Sequence, residues 1–164
     1  MESKNVKLGR LSGKDREAVA EILTDQTVAK TYMVPDFTSE EQVENLFRRL
    51  VDLSGGEERY VRGIYRGDAP VGFLNDVGIS GNSVELGWVV HPRYHNQGCA
   101  TAAVKLAVEE LFAKGFDEVS AGAFEENGAS IRVMEKSGME REDRTDEIEY
   151  RGAVHRCVYY RIKK

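Results

Sequence analysis

In Gly87-Trp88-Val89-Val90-His91-Pro92-Arg93-Tyr94-His95-Asn96-Gln97-Gly98-Cys99-Ala100-Thr101, an apolar strand runs out at Pro92. A polar loop turns, and a helix of small residues opens after Gly98. Backbone N–H groups at a helix start have no partner inside the helix and point outward. The helix dipole favours negative charge at the same place. Gly98 lets the backbone come close to a ligand, Cys99, Ala100 and Thr101 keep the side chains small, and Arg93 adds a cation suited to phosphate. The pattern reads as an anion site, or as a glycine that only turns the chain into the helix. It is not a Walker A loop, because no Lys-Ser or Lys-Thr follows the glycine. The dinucleotide pattern GxGxxG is also missing, and the strands before the loop form a meander rather than a βαβ start.

Upstream, three strand-like runs, Arg59 to Tyr65, Val71 to Ile79 and Val84 to Val90, are separated by turn signals at Gly67-Asp68-Ala69-Pro70 and Ser80-Gly81-Asn82. Turns this short make antiparallel neighbours. Before them, Val6 to Leu11 alternates apolar with polar, as a strand does. Ser12 is placed to cap a helix through Asp15, Ala18, Val19 and Ile22. A loop from Tyr32 to Phe37 is fixed by Pro35. Thr38-Ser39-Glu40-Glu41 then opens a helix carrying Val43, Leu46, Phe47, Leu50 and Val51, broken at Ser54-Gly55-Gly56.

Downstream, the small-residue helix carries Ala103, Leu106, Ala107, Val108, Leu111 and Phe112 and closes at Lys114-Gly115. Glu118 to Ala123 reads as a strand. Asn127 caps a helix with Ile131, Val133 and Met134 that ends at Ser137-Gly138, and two more strands are expected near Met139 to Arg144 and Val154 to Ile162. The expected order is β-αα-βββ-α-β-α-ββ, a mixed α/β domain. No repeat or linker divides it, so residues 1–164 read as a single domain.

At 164 residues, 41% hydrophobic and 31% charged, the chain has globular rather than disordered composition. No apolar run approaches the roughly 20 residues that span a bilayer. Met1 to Asn5 lacks the apolar core of a signal peptide, so a cytoplasmic protein without membrane association is expected. Two cysteines, Cys99 and Cys157, are too few for a disulfide framework. Together with His91, His95 and His155 they match no metal-ligand spacing, so no metal is expected. Cys99 has two readings, a reactive thiol or a small residue filling the turn. A net charge of −5 without a Lys/Arg run argues against nucleic acid and tolerates a cationic substrate.

With these motifs the chain resembles the GCN5-related N-acetyltransferases, in particular their ribosomal-protein N-terminal acetyltransferase branch. The family pattern Gln/Arg-x-x-Gly-x-Gly/Ala falls on His95-Asn96-Gln97-Gly98-Cys99-Ala100, with His95 in place of the usual first residue. A neutral His donates fewer hydrogen bonds than Arg. A second signature, Asn-x-x-Ser near the start of a later helix and Lys-x-Gly-aromatic near its end, falls on Asn127-Gly128-Ala129-Ser130 and Lys136-Ser137-Gly138-Met139, with Met139 replacing the usual Phe. The resemblance covers nearly the whole chain in element order and is strongest from Leu86 to Met139.

The resemblance implies a mixed, mostly antiparallel sheet of about seven strands flanked by about four helices. It implies acetyl-CoA as co-substrate, lying in a V between the strand ending near Val90 and the one near Ala123. The backbone of Trp88, Val89 and Val90 would bond the acetyl carbonyl and pantetheine arm. The loop Arg93 to Ala100 (Arg93, His95, Asn96, Gln97, Gly98, Cys99, Ala100), with Thr101, would hold the pyrophosphate, and Asn127 would reach the pantetheine side. Direct attack by a neutral amine needs a route for its proton, oxyanion stabilisation and a hydrogen bond for the leaving thiolate. Glu85 fits the family's base on the strand before the loop, or it is a solvent-facing strand carboxylate. Many relatives protonate the thiolate with a Tyr that is Met134 here. Ser130 is therefore the candidate donor, or a first-turn serine bonding its own backbone.

The acceptor is expected to be an amine on a small molecule or a protein N-terminus. It would be selected by the loop Thr31 to Phe37, the helix after it and the C-terminal strands, with Tyr32, Met33, Phe37 and Trp88 as pocket or core residues. A non-catalytic acyl-CoA sensor of the same fold and a ligand-free interaction module are the competing readings. Both a monomer and a homodimer fit the composition.

Overall fold

The computed structural model describes residues 5–164. The alternation at the start of the chain forms β1 (Val6–Gly9), shorter than expected. Leu11 leaves the strand and is buried in the core, its N–H donating to Ser54 Oγ at 2.9 Å. Ser12 N–H donates to the Asp15 carboxylate at 2.9 Å and closes a 3-10 turn, Gly13–Asp15, before α1 (Arg16–Thr24). The expected single helix is thus a tight turn plus a helix. Tyr65 hydroxyl donates to the same buried carboxylate at 2.7 Å.

A four-residue helix not anticipated from periodicity, α2 (Gln26–Ala29), follows. Its cap is Asp25, which accepts the Val28 N–H at 3.0 Å. Next comes α3 (Glu40–Gly55), capped by Ser39, which accepts Gln42 N–H at 3.3 Å. The break expected at Ser54-Gly55-Gly56 falls there: α3 ends at Gly55 with Gly56 as its C-cap, and in its last turn the buried Ser54 accepts the Leu11 N–H.

The meander is β2 (Val61–Arg66), β3 (Ala69–Ser80) and β4 (Ser83–Val90). Then come α4 (Cys99–Ala113), β5 (Glu118–Phe124), α5 (Gly128–Lys136), β6 (Glu140–Tyr150) and β7 (Ala153–Lys163). One mixed, mostly antiparallel sheet results, in the order β1-β2-β3-β4-β5-β7-β6. Its parallel pair is β4 with β5, in the register Ser83 with Glu118, Val84 with Val119 and Glu85 with Ser120. Parallel strands need a crossover, and α4 is that crossover.

β6 runs well beyond the strand expected near Met139 to Arg144. Its sequence, Glu140-Arg141-Glu142-Asp143-Arg144-Thr145-Asp146-Glu147, is charged on both faces and carries no alternation. It is held by pairing with β7, and charges of both signs suit a sheet edge. The pairing slips between Arg141 and Thr145, so residues 142–144 oppose Tyr159 alone, a bulge that redirects Arg144.

The chain divides into two compact units. One holds the chain up to Asn75 together with Trp88–Ala103, the other Asp76–Gly87 together with Val104–Lys164. The first has a core of Leu11, Val19, Ile22, Leu23, Phe47, Leu50, Val61, Phe73 and Val89. In the second, Leu111, Val119, Ala121, Met134 and Val158 are buried. Among the described residues no helix is long and apolar enough to cross a membrane.

Gly72 sits where β3 departs from regular pairing. Ile64 opposes Gly72 and Tyr65 opposes Pro70, which leaves Val71 as an extra residue. A Cβ on Gly72 would overlap the Val89 carbonyl oxygen, a backbone atom that cannot rotate away. Gly72→Ala is therefore expected to destabilise the protein by about 1–3 kcal/mol, read as a lower urea midpoint at unchanged m-value.

Candidate functional site

The loop between β4 and α4 begins with a second 3-10 turn, Pro92–Tyr94, capped by His91, whose Nδ1 accepts the Arg93 N–H at 3.0 Å. His91 Nε2 lies 3.1 Å from a Glu21 carboxylate oxygen on α1. His95 turns back, and its Nε2 meets the Val90 carbonyl at 2.8 Å. A carbonyl only accepts, so this nitrogen carries a proton and spends it on the loop. Gln97 accepts from the Arg66 guanidinium and donates to the Arg93 carbonyl at 3.2 Å. The side chains of His95 and Gln97 thus hold the loop, and the Arg93 side chain is exposed.

Asn96 and Gly98 take left-handed backbone angles, φ 61° and 77°. These turn the chain into α4, whose first bond runs from Ala102 N–H to the Gly98 carbonyl at 3.0 Å. The N–H groups of Ala100 and Thr101 precede that bond, at the positive end of the helix dipole. Cys99 is buried, 1% exposed, which favours the filling role over a reactive surface thiol. Val89 and Val90 are buried and Trp88 is half-buried. The structure therefore gathers Trp88 to Thr101 in the first unit.

In the second unit, Asn127 caps α5. Its Oδ1 accepts the Ser130 N–H at 3.2 Å and its Nδ2 donates to Ser130 Oγ at 3.0 Å. Ser130 Oγ accepts in that bond, so its own proton is not consumed by it. Met134 is fully buried.

Glu85, also in the second unit, is partly buried, with 25% of its side chain exposed. Burial raises its carboxyl above the ordinary range. Arg144, 3.9 Å away, opposes the shift, and the nearby carboxylates Asp146 and Glu142 reinforce it. Arg144 stacks on the Tyr159 ring at 3.8 Å and pairs with Asp146 at 3.2 Å, and Tyr159 hydroxyl donates to Asp146 at 2.8 Å. Arg144 lies within the β6 bulge. Among the described residues no group of His, Cys, Asp or Glu is arranged to hold a metal.

The family model for the acetyltransferase (GNAT) domain matches residues 5–140. The chain belongs to the GNAT acetyltransferase family. An N-acetyltransferase of Bacillus subtilis (strain 168), described as uncharacterized, is 31% identical over 133 residues, covering 79% of this chain and 75% of its own length. The crystal structure of a GNAT-family acetyltransferase from Bacillus anthracis superposes with a TM-score of 0.82 at 26% identity, over 99% of this chain and 97% of that one. A ribosomal L7/L12 alpha-N-protein acetyltransferase in complex with coenzyme A superposes with a TM-score of 0.86 at 15% identity, over 98% and 95% of the two chains.

Within this GNAT chain, the contacts of three residues lie outside what the sequence shows, those of His91, Arg66 and Arg144. Arg66 is far from the loop in sequence, and Arg144 lies in a charged strand with no period. The spacing His91-Pro92-Arg93, a polar side chain followed by Pro and then a donor amide, is the one local signal of a capped turn.

The raised carboxyl of Glu85 fixes the sign of a stability effect. Below the ordinary carboxylate range Glu85 is protonated in folded and unfolded chains alike. As pH rises, the unfolded chain ionises first, so folded stability falls until Glu85 itself ionises in the folded protein. Relative to wild type, Glu85→Gln is expected to match at acid pH and to gain stability across that window, levelling above it. Urea melts at a series of pH values check this.

Proposed function

We propose that this chain is an N-acetyltransferase that moves the acetyl group of acetyl-CoA to a primary amine by direct attack in a ternary complex, residues 1–164 working as one cytoplasmic domain. The observation that carries the reading is the start of α4. It follows β4 after the loop 91–98, opens on Gly98 at φ 77° and begins with small residues. The donor set suits a pyrophosphate, since residues 88–101 contain one arginine and no carboxylate.

In this reading the backbone from Arg93 to Ala100, with Thr101 and the Arg93 guanidinium, holds the pyrophosphate. His95, Asn96 and Gln97 contribute backbone and loop shape, Cys99 fills the turn, and Asn127 faces the pantetheine arm. Bound acetyl-CoA supplies the activated thioester. Trp88, Val89 and Val90 orient the pantetheine arm through their backbone, and the Val89 or Val90 N–H donates to the acetyl carbonyl oxygen. Glu85 takes the amine proton through a water, and burial, by raising its carboxyl, makes it a stronger base for that task. Ser130 donates a hydrogen bond to the leaving sulfur. The acceptor is an amine on a small molecule or a protein N-terminus, selected by the segment containing Tyr32, Met33 and Phe37. Neither nucleic acid nor membrane is a partner.

A second reading, a non-catalytic acyl-CoA sensor, is favoured by Met134, a buried apolar residue where many relatives carry a proton donor. Calorimetry with acetyl-CoA, followed by thiol release over a panel of amines and peptide N-termini, separates the two. Saturable binding with acceptor-dependent release is expected. Binding without release from any acceptor selects the sensor, and the absence of binding removes both. Gly98→Glu is expected to abolish binding by crowding the cradle, straining the left-handed turn and repelling phosphate. In wild type, kcat/KM is expected to fall as pH drops through the raised Glu85 range. In Glu85→Gln it should be low and flat there, and a retained acidic limb would assign the base elsewhere.

A further inference from the structure

We propose that His91 is the positioning residue of the acyl-donor loop and that affinity for acetyl-CoA depends on it. This rests on the reading above and names the residue that holds its loop in place. All four hydrogen-bonding atoms of His91 are used within the protein. Its N–H donates to the Val71 carbonyl at 2.7 Å and its carbonyl accepts the Tyr94 N–H at 2.8 Å. Nδ1 accepts the Arg93 N–H at 3.0 Å, and Nε2 lies 3.1 Å from Glu21. A backbone amide only donates, so Nδ1 is unprotonated. The ring proton therefore sits on Nε2 and is donated to the Glu21 carboxylate. One neutral imidazole, 15% exposed, ties the loop to α1, while its own backbone ties the loop to β3.

The consequence falls on Arg93, the one arginine or lysine between residues 91 and 98. Both of its backbone groups are gripped by side chains, the N–H by His91 and the carbonyl by Gln97. Asn96 and Gly98, both left-handed, turn the rest of the loop into α4, so the grip on Arg93 falls to His91 and Gln97. Donors aimed at an anion help only when they are held in place before it arrives. His91 has no atom left over for a ligand, so it acts through the loop rather than on the substrate.

The test compares His91→Ala, His91→Asn and Glu21→Ala. Asn at a cap accepts the amide two residues on through Oδ1, so His91→Asn restores the grip on Arg93 without the link to Glu21. His91→Ala is expected to weaken acetyl-CoA binding in calorimetry by about tenfold, the effect of one lost hydrogen bond with its orphaned donor. KM for acetyl-CoA should rise in parallel with kcat unchanged, and amide exchange over residues 92–98 should quicken in the ligand-free protein. His91→Asn should recover most of the loss. Glu21→Ala, which leaves the cap intact, should show a smaller loss and serves if His91→Ala does not fold. Unchanged binding and exchange in His91→Ala, or His91→Asn as impaired as His91→Ala, would overturn the proposal. If wild-type protein binds no acetyl-CoA, the functional reading fails by itself. Exchange over 92–98 then decides the positioning role: faster in His91→Ala and restored in His91→Asn supports it, and no change refutes it.

Discussion

Parallel pairing of β4 with β5 is the constraint from which the site follows. Two parallel neighbours cannot be joined by a hairpin, so the chain leaving Val90 must travel back before β5 can begin at Glu118. It does so as α4, and the crossover puts a helix N-terminus just beyond the carboxyl end of β4. A positive dipole end and outward N–H groups at that place are products of topology as much as of sequence. The small residues Cys99, Ala103 and Ala107 let α4 bury that side of itself completely.

The loop that makes this turn is held largely by its own polar side chains. His91 grips Arg93 and Glu21, His95 holds the Val90 carbonyl, and Gln97 joins Arg66 to the Arg93 carbonyl. A residue written in the family pattern as a ligand position, His95, is thereby a structural one in its side chain. The loop itself carries an exposed arginine, Arg93, and no carboxylate to oppose an anion. Pre-formed donors of this kind lose little entropy when a phosphate arrives.

Elements with a strong period were legible from sequence. The apolar spacing of α3, the small-residue stripe of α4 and the Asn127 cap of α5 each state their own structure locally. Elements held from outside were not. α2 has four residues, too few to show a helical repeat. The far half of β6 is charged on both faces and is a strand because β7 pairs with it. The bond from Leu11 N–H to Ser54, in the last turn of α3, joins residues distant in the chain.

The same division runs through the candidate site. From sequence alone came the glycine turn, the small residues after it and the Asn127–Ser130 pair, since each is a matter of local spacing and backbone preference. Tertiary structure alone decided that Glu85 meets Arg144 and Asp146, that Gln97 meets Arg66 and that His91 meets Glu21. Those partners lie far apart in the chain, and a side chain's hydrogen bonds, burial and proton affinity depend on neighbours in space, which only the folded chain brings together.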